Sequence, residues 1–348
     1  MRRGHRVFAL APWPTSPPLN PRLKSLHEAR VSFESLNQSP LGIPVPHVSP
    51  VRFWSINLRR ALSRYRPDLT ILSNGSWSDA VHLLPTITES ELRLATLDHG
   101  IFETSWPSGP EIDVLQPAYS AALATFFVSD SSRRLAECQL GIDLARWEIA
   151  RNPYAVSYDA TPSWPSTDDC FALANVARLQ PRTKGQDLLI DLLALPKWQQ
   201  RPIRITCFGT GAHRNALIRE SQRRGCGDKL VFAGHVDDIE SIWASHHALI
   251  MPSRAENMPL ATVEAMMCGR LPIVTDVGGH REIIEDHVSG FLAESATVAA
   301  LDRTLEVAWK ERDNWQRIGS NSARRIRDIM PRHPENLFAD KLEQKALH

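Results

Sequence analysis

Glu256 and Glu264, eight positions apart, are the residues of this chain whose type and spacing most invite chemistry. Glu256 closes the segment Pro252-Ser253-Arg254-Ala255-Glu256, which follows a short apolar run. Asn257 to Leu260 read as the turn into a helix, and Pro259 suits the first turn of that helix. The amide N–H groups of a first helical turn have no partner inside the helix and point outward, so they bind anions. A carboxylate next to such a terminus is out of place unless it serves hydroxyl groups. One phosphate and two hydroxyl-seeking carboxylates describe a nucleotide sugar. Spacing alone leaves a plainer reading open, with Glu256 a solvated loop residue and Glu264 a charge on a helix face.

These residues need elements that hold them at one edge. The chain has 348 residues, beyond the roughly 250–300 at which a single core stops growing, so two domains are expected. In the first half DLTILS (68–73), LATLDH (94–99) and ATFFVS (124–129) read as strands, and RRLAECQLG (133–141) as a helix stopped by Gly141. Residues 151–170 hold three prolines among small polar residues and read as a linker. In the second half the strands are FALANVARL (171–179), IRITCFGTG (203–211), KLVFAGHV (229–236), HALIMPS (247–253) and LPIVTDVGG (271–279). The helices between them are QDLLIDLLALPKW (186–198), SIWASH (241–246) and LATVEAMMCG (260–269). Alternation at this spacing predicts a parallel, doubly wound sheet, which binds ligands at the carboxyl ends of its strands.

Composition excludes several classes. With 43% apolar and 23% charged residues the chain is globular, and a net charge of +1 gives no global field for nucleic acid. The five cysteines are scattered with no C-x-x-C pair, as in a reduced cytosolic protein. No apolar run reaches the roughly 18–20 residues of a spanning helix. The start, MRRGHRVFALAPWP, mimics an export signal, but its apolar stretch Val7–Pro12 is shorter than the ~7–15 residues required and Trp13-Pro14 interrupts it. A cytoplasmic location is expected.

The segment PSRAENMPLATVEAMMCGRLPIVTDVGGHREIIEDHVSGFLAE (252–294) resembles the donor-site signature of glycosyltransferase family 4, the retaining enzymes of GT-B architecture. The family's Glu-x7-Glu pair falls on Glu256 and Glu264, its EAMAxG helix on Glu264–Gly269, and its PVVxTxxGG strand on Pro272–Gly279. Upstream, ARLQPRTKGQDLLIDLLA (177–194) is similar to GRLxxxKGxxxLIxA. Arg178 and Lys184 thereby fall on the positions that clasp the donor diphosphate. Two cations at a strand's carboxyl end do offset two phosphate charges and favour departure of a nucleoside diphosphate; taken alone, the pair also reads as two surface cations. CFGTGAHRNAL (207–217) resembles the family's GxGPxRxxL strand-turn-helix, and KLVFAGHVDDI (229–239) its VxFxGxVxxx segment, whose loop usually lines the base. The first half matches more faintly, through YRPDLTILSNG (65–75), RLATLDHG (93–100), FFVSDSSRRLAECQLGI (126–142) and ARNPYAV (150–156).

The resemblance implies two Rossmann-like domains facing a cleft: an acceptor domain over 1–155, a donor domain over 165–328, and a final helix within 329–348 packing back on the first domain. It implies a hexosyltransferase-type enzyme that moves a sugar from a nucleotide-diphosphate donor to a glycan, lipid-linked or small-molecule acceptor in polysaccharide biosynthesis. Glu256 and Asn257 would contact the donor sugar, and Glu264 the ribose. Arg178, Lys184 and the positions Met258, Pro259 and Leu260 would hold the diphosphate. His99, at a strand end, would help orient the transferred sugar, although a strand-end histidine is often only structural. No metal and no cofactor besides the donor is expected, since no Asp-x-Asp motif occurs.

The front of the chain departs from the family pattern. MRRGHRVFALAP looks like the second strand of the first domain, which would leave the central first strand and its Gly-rich loop missing. A start upstream of Met1, a partner chain completing the sheet, and Arg6–Pro12 as the first strand itself are the three readings; the first is favoured. VRFWSINLRRALSRYRPD (51–68) reads as a basic amphipathic helix, fit either to touch an anionic membrane or to pack its apolar face on the sheet. Two other functions compete with transfer, a nucleotide-sugar epimerase and a catalytically inactive GT-B subunit bound to a partner glycosyltransferase.

Overall fold

The computed structural model describes residues 4–11, 31–36, 51–166 and 170–347. The chain divides into two compact units. The first comprises Met1–Ile101, Ser105–Phe126 and Ala136–Glu148; the second comprises Phe102–Thr104, Phe127–Leu135 and Ile149–His348. The division thus falls earlier in sequence than the proline-rich stretch. Phe127–Leu135 counts with the second unit, where the Ser131 amide donates to Glu282 and Arg151 reaches Val128 O at 2.8 Å.

The early elements are β1 (Phe8–Ala11), β2 (Ser32–Ser35), α1 (Val51–Tyr65), β3 (Thr70–Asn74), α2 (Trp77–Glu89), β4 (Leu94–Asp98), α3 (Gly109–Ala121), β5 (Ala124–Phe127), α4 (Asp130–Leu140) and β6 (Trp147–Ile149). Strands β3-β4-β5-β6 form one sheet in chain order, while β1 pairs in parallel with β2 in a separate two-stranded sheet. Among the described residues no ladder joins the two sheets. Within the Arg6–Pro12 segment a strand stands at Phe8–Ala11.

α1 is the basic helix anticipated at 51–68, and its apolar face is covered within its own unit. Leu58, Ala61 and Leu62 are buried where α1 packs on α2. Of its arginines, Arg59 pairs with Glu89 and Arg64 with Glu34. Among the described residues no helix is long and apolar enough to cross a membrane.

The second unit carries β7 (Phe171–Val176), α5 (Pro181–Lys184), α6 (Gln186–Leu193), α7 (Pro196–Gln200), β8 (Ile203–Phe208), α8 (Arg214–Arg223), β9 (Leu230–Gly234), α9 (Ile239–Ser245), β10 (Ala248–Met251), α10 (Leu260–Met267), β11 (Leu271–Thr275), α11 (His280–Ile283), β12 (Phe291–Ala293), α12 (Val298–Lys310), α13 (Trp315–Ile329) and α14 (Pro334–Leu347). The single helix expected over 186–198 is two, because Pro196 forces Leu195 into an extended conformation and opens a new helix. The final helix counts with the second unit, where Lys341 Nζ donates to Ile149 O at 2.9 Å.

The sheet order is β12-β11-β10-β7-β8-β9, with every pairing parallel. This is the doubly wound order in which the chain builds outward from β7 to one side, then returns to build outward from β10 to the other. Side chains alternate across the strands, and both faces are covered. Ala248 and Ile250 join one apolar cluster with Trp198 and Trp315, while Leu249 and Met251 join the other with Val263 and Met266. A sheet buried on both faces reads as continuous apolar runs, which is why these strands stood out in the sequence. Buried Arg270 ties the linker to this sheet, donating to the carbonyls of Pro162 and Ser163 and of Trp243 and His246.

At the carboxyl ends of β3 and β4 the first unit holds a fully buried acid that sequence reading passed over. Asp98 accepts from Asn74 Nδ2 at 2.8 Å, from the Tyr119 hydroxyl at 2.7 Å and from Thr96 Oγ1 at 3.0 Å. Burial still outweighs these donors and pushes its pKa up from 3.8 to about 6. Because the folded value lies above the unfolded one, this group stabilises the fold at low pH, and the contribution disappears as pH rises through about 6. Asp98→Asn removes the titration while keeping a side chain of the same shape. Urea unfolding from pH 4.5 to 8 is expected to show the parent losing about 2 kcal/mol relative to the variant as pH rises. A difference that stays flat with pH contradicts this assignment.

Candidate active site

The crevice between β7 and β10 is the point at which the strand order reverses, so the loops leaving these two strands part there. The β7–β10 ladder pairs only Leu173 with Ala248 and Ala174 with Leu249. Beyond it the Asn175 side chain spans the gap, donating to Ile250 O at 2.8 Å. The loop after β7 carries Arg178 and Lys184, and the loop after β10 carries Glu256.

The structure brings Lys184 and Glu256 together. Lys184 Nζ lies 2.6 Å from Glu256 Oε1, and Ser253 Oγ donates to the same oxygen at 2.8 Å. Glu256 is 7% exposed and Lys184 19%. The solvated-loop reading of Glu256 therefore fails: it is a buried carboxylate held by a cation and a hydroxyl. Ser253 is fixed in turn by Thr275, whose hydroxyl donates to Ser253 O at 2.6 Å. Arg178 sits differently. Its backbone carbonyl accepts from Gln186 Nε2, but the residue is exposed and its guanidinium makes no hydrogen bond or ion pair among the described residues.

Glu256 leads into α10. Pro259 stands just before the helix with φ −74° and ψ 108°, and its carbonyl accepts the amides of Thr262 and Val263. The amides of Leu260 and Ala261 make no hydrogen bond among the described residues, so the helix terminus read from the sequence is present with its first amides open. Pro259 has no N–H, so it cannot be a donor as expected: it shapes the turn, and the open amides are those of Leu260 and Ala261. Met258 and Asn257 are buried, and the Asn257 carbonyl accepts from Gly279 N at 2.7 Å. Glu264 lies on the second turn, 7% exposed, where Oε1 accepts the Ala155 amide at 2.9 Å. Burial raises its pKa, partly offset by that amide.

A glycine makes this geometry possible. Gly278 has φ +56°, and a Cβ there would stand 2.0 Å from Glu256 O. The close approach lets the turn after β11 buttress the Glu256 loop from below. Gly278→Ala is expected to cost about 1–2 kcal/mol in stability and, by displacing Glu256, at least tenfold in activity. Gly225 has φ +70° with nothing near a Cβ, so Gly225→Ala should show the conformational cost alone. Equal activity of the two variants would contradict the buttressing role.

His280, unremarked in the sequence, follows this turn directly. It is fully buried, with Nε2 3.0 Å from Thr262 Oγ1. Burial lowers its pKa to about 4, although the nearby Glu256 charge opposes this, so the ring is neutral near pH 7. Its only sequence signal is its place directly after the Gly278-Gly279 turn. His99 belongs to the other unit, at the end of β4, where Nε2 lies 3.2 Å from Ser73 Oγ and its amide donates to Asn74 O.

Residues 161–325 match the family described as glycosyl transferases group 1. They span just under half of the chain and contain every element of the β7–β10 crevice. A putative glycosyltransferase EpsD of Bacillus subtilis is 28% identical over 152 residues, covering 44% of this chain and 40% of that protein. A glycogen synthase of Aromatoleum aromaticum is 29% identical over 225 residues, covering 56% of this chain and 45% of its own length. The chain thus spans less than half of these curated relatives. Two solved structures align along nearly the whole chain. Anabaena Alr3699/HepE in complex with UDP superimposes with a TM-score of 0.75 at 19% identity, covering 98% of this chain and 100% of the other. Sucrose-phosphate synthase from Thermosynechococcus elongatus does so with a TM-score of 0.77 at 16% identity, covering 99% and 90%. The chain has the GT-B fold of two Rossmann-like units.

Proposed function

We propose that this protein is a retaining glycosyltransferase of family 4, moving a sugar from a nucleoside-diphosphate donor to a glycan, lipid-linked or small-molecule acceptor. The observation that carries the proposal is the Lys184–Glu256 pair at the strand-order switch point, beside the open amides of Leu260 and Ala261. A part-buried cation held on a buried carboxylate, four positions ahead of an open helix terminus, suits a ligand that offers a diphosphate to one and hydroxyls to the other.

In this reading Lys184 leaves Glu256 for the diphosphate, joined by Arg178 and the first amides of α10. Glu256, with Asn257, receives hydroxyls of the sugar and favours positive charge at its anomeric carbon. Glu264 receives the ribose hydroxyls. The bond between the anomeric carbon and the diphosphate oxygen breaks. The acceptor oxygen bonds to that carbon on the same face, and its proton passes to the departing phosphate oxygen. Cationic side chains and a helix terminus offset the leaving charge, so turnover is expected to persist in EDTA. The buried thiols Cys207, Cys226 and Cys268 accord with a reducing, cytoplasmic setting.

HepE was solved with UDP, with UDP and glucose, and with UDP-glucose, which makes a uridine diphosphate hexose the first donor to try. The test is a thermal-shift panel of UDP-, GDP- and ADP-sugars with their diphosphates. At a hundredfold excess over Kd, binding to the native state alone adds about 2.7 kcal/mol and raises Tm. No shift with any of them would remove the proposal.

A further inference from the structure

Arg254, two residues before Glu256, has no part in the donor contacts described above. Its side chain nevertheless spans the segment that carries Lys184. Nη1 donates to Pro181 O at 2.7 Å and to Asp187 Oδ1 at 2.8 Å, and Nη2 donates to Asp187 Oδ2 at 2.6 Å. Its own amide donates to Thr183 O at 2.8 Å. One residue therefore grips both ends of the Pro181–Asp187 segment and its middle. Between those grips the chain turns at Gly185 with φ +68°, packed so closely on Pro252 O that a Cβ would stand 2.0 Å from it. The two loops are thus laced together along their length, and the register of the lacing decides where Lys184 Nζ stands relative to Glu256.

We propose that Arg254 and Asp187 are positioning residues that preset Lys184 for the donor diphosphate. The reason is geometric. Lys184 must exchange one partner, Glu256, for another, the diphosphate, without its backbone moving. A lysine on a short turn keeps that freedom only if the turn itself is held from outside, and the planar fork of arginine on carboxylate supplies a rigid hold that lysine at 254 would not. An exposed ion pair is worth little to folding, and here the pair is a third or more exposed at both side chains, 34% and 43%. The fork is thus a weak device for stability and a strong one for placement.

This inference rests on the diphosphate reading, and a thermodynamic cycle separates the two. Calorimetry would measure the tightest binder among UDP, GDP and ADP with the parent, Arg254→Gln, Asp187→Asn, Lys184→Met and the double variant Arg254→Gln/Lys184→Met. Arg254→Gln and Asp187→Asn are each expected to weaken binding about tenfold with Tm nearly unchanged. In the Lys184→Met background Arg254→Gln should add almost nothing, because the group it positions is gone. Parent-like affinity of both single variants, or additive losses in the double, would overturn the positioning role while leaving the diphosphate site standing. No uptake of any diphosphate by the parent would remove the site and the role together.

Discussion

Glu256→Gln is expected to lower transfer by about 10²–10³-fold while nucleoside diphosphate still binds, at the parent's affinity or several-fold tighter. The loss follows from removing a charge that faces developing positive charge in the transition state; deletion of a comparable preorganised group costs about 3–4 kcal/mol. The retained affinity follows from the ion pair. Lys184 is already paired at 2.6 Å with Glu256, and a diphosphate must compete with that carboxylate. Glutamine keeps the shape and an acceptor but gives up the charge, so Lys184 is released to the ligand. Turnover and calorimetry on one preparation check both halves. A variant that turns over normally, or that loses diphosphate binding along with transfer, contradicts the division of labour.

Lys184→Met should do the opposite at binding and should also weaken the fold. Diphosphate affinity is expected to fall tenfold or more. Glu256, 7% exposed, is left with Ser253 as its only remaining described partner. Stranding one member of a buried pair costs about 3–5 kcal/mol; since Lys184 is 19% exposed, water screens part of this and about 2–4 kcal/mol is expected. The double variant Lys184→Met/Glu256→Gln removes the stranded charge, so urea unfolding should show most of the stability restored with activity still absent. If the single lysine variant is as stable as the parent, the pair is not a buried one in solution.

The contrast between what the sequence revealed and what it hid is physical. Strands β10 and β11 were legible because both faces are buried, leaving runs with no polar residue to interrupt them. The helix terminus at Leu260 was legible because a proline followed by helix-forming residues dictates a terminus locally. Helices α2 and α3 were hidden by Pro85 and Pro117, which sit inside them and break the expected pattern. The Lys184–Glu256 contact joins residues 72 positions apart, and the Arg254–Asp187 fork joins residues 67 apart. No local pattern encodes either. A motif placed Lys184 and Glu256 in one site; only folding showed that they hold each other. Asp98 was invisible for a related reason: an acid at a strand's end usually meets water, and here Tyr119 and Asn74 close over it.

The most direct measurement is a crystal structure with the nucleoside diphosphate that the thermal-shift panel selects. The account requires the two phosphates against the amides of Leu260 and Ala261, Lys184 Nζ moved from Glu256 to a phosphate oxygen, and Glu264 on the ribose hydroxyls. A diphosphate seated elsewhere, or one in this crevice with Lys184 still on Glu256 and Glu264 turned away from the ribose, would contradict it.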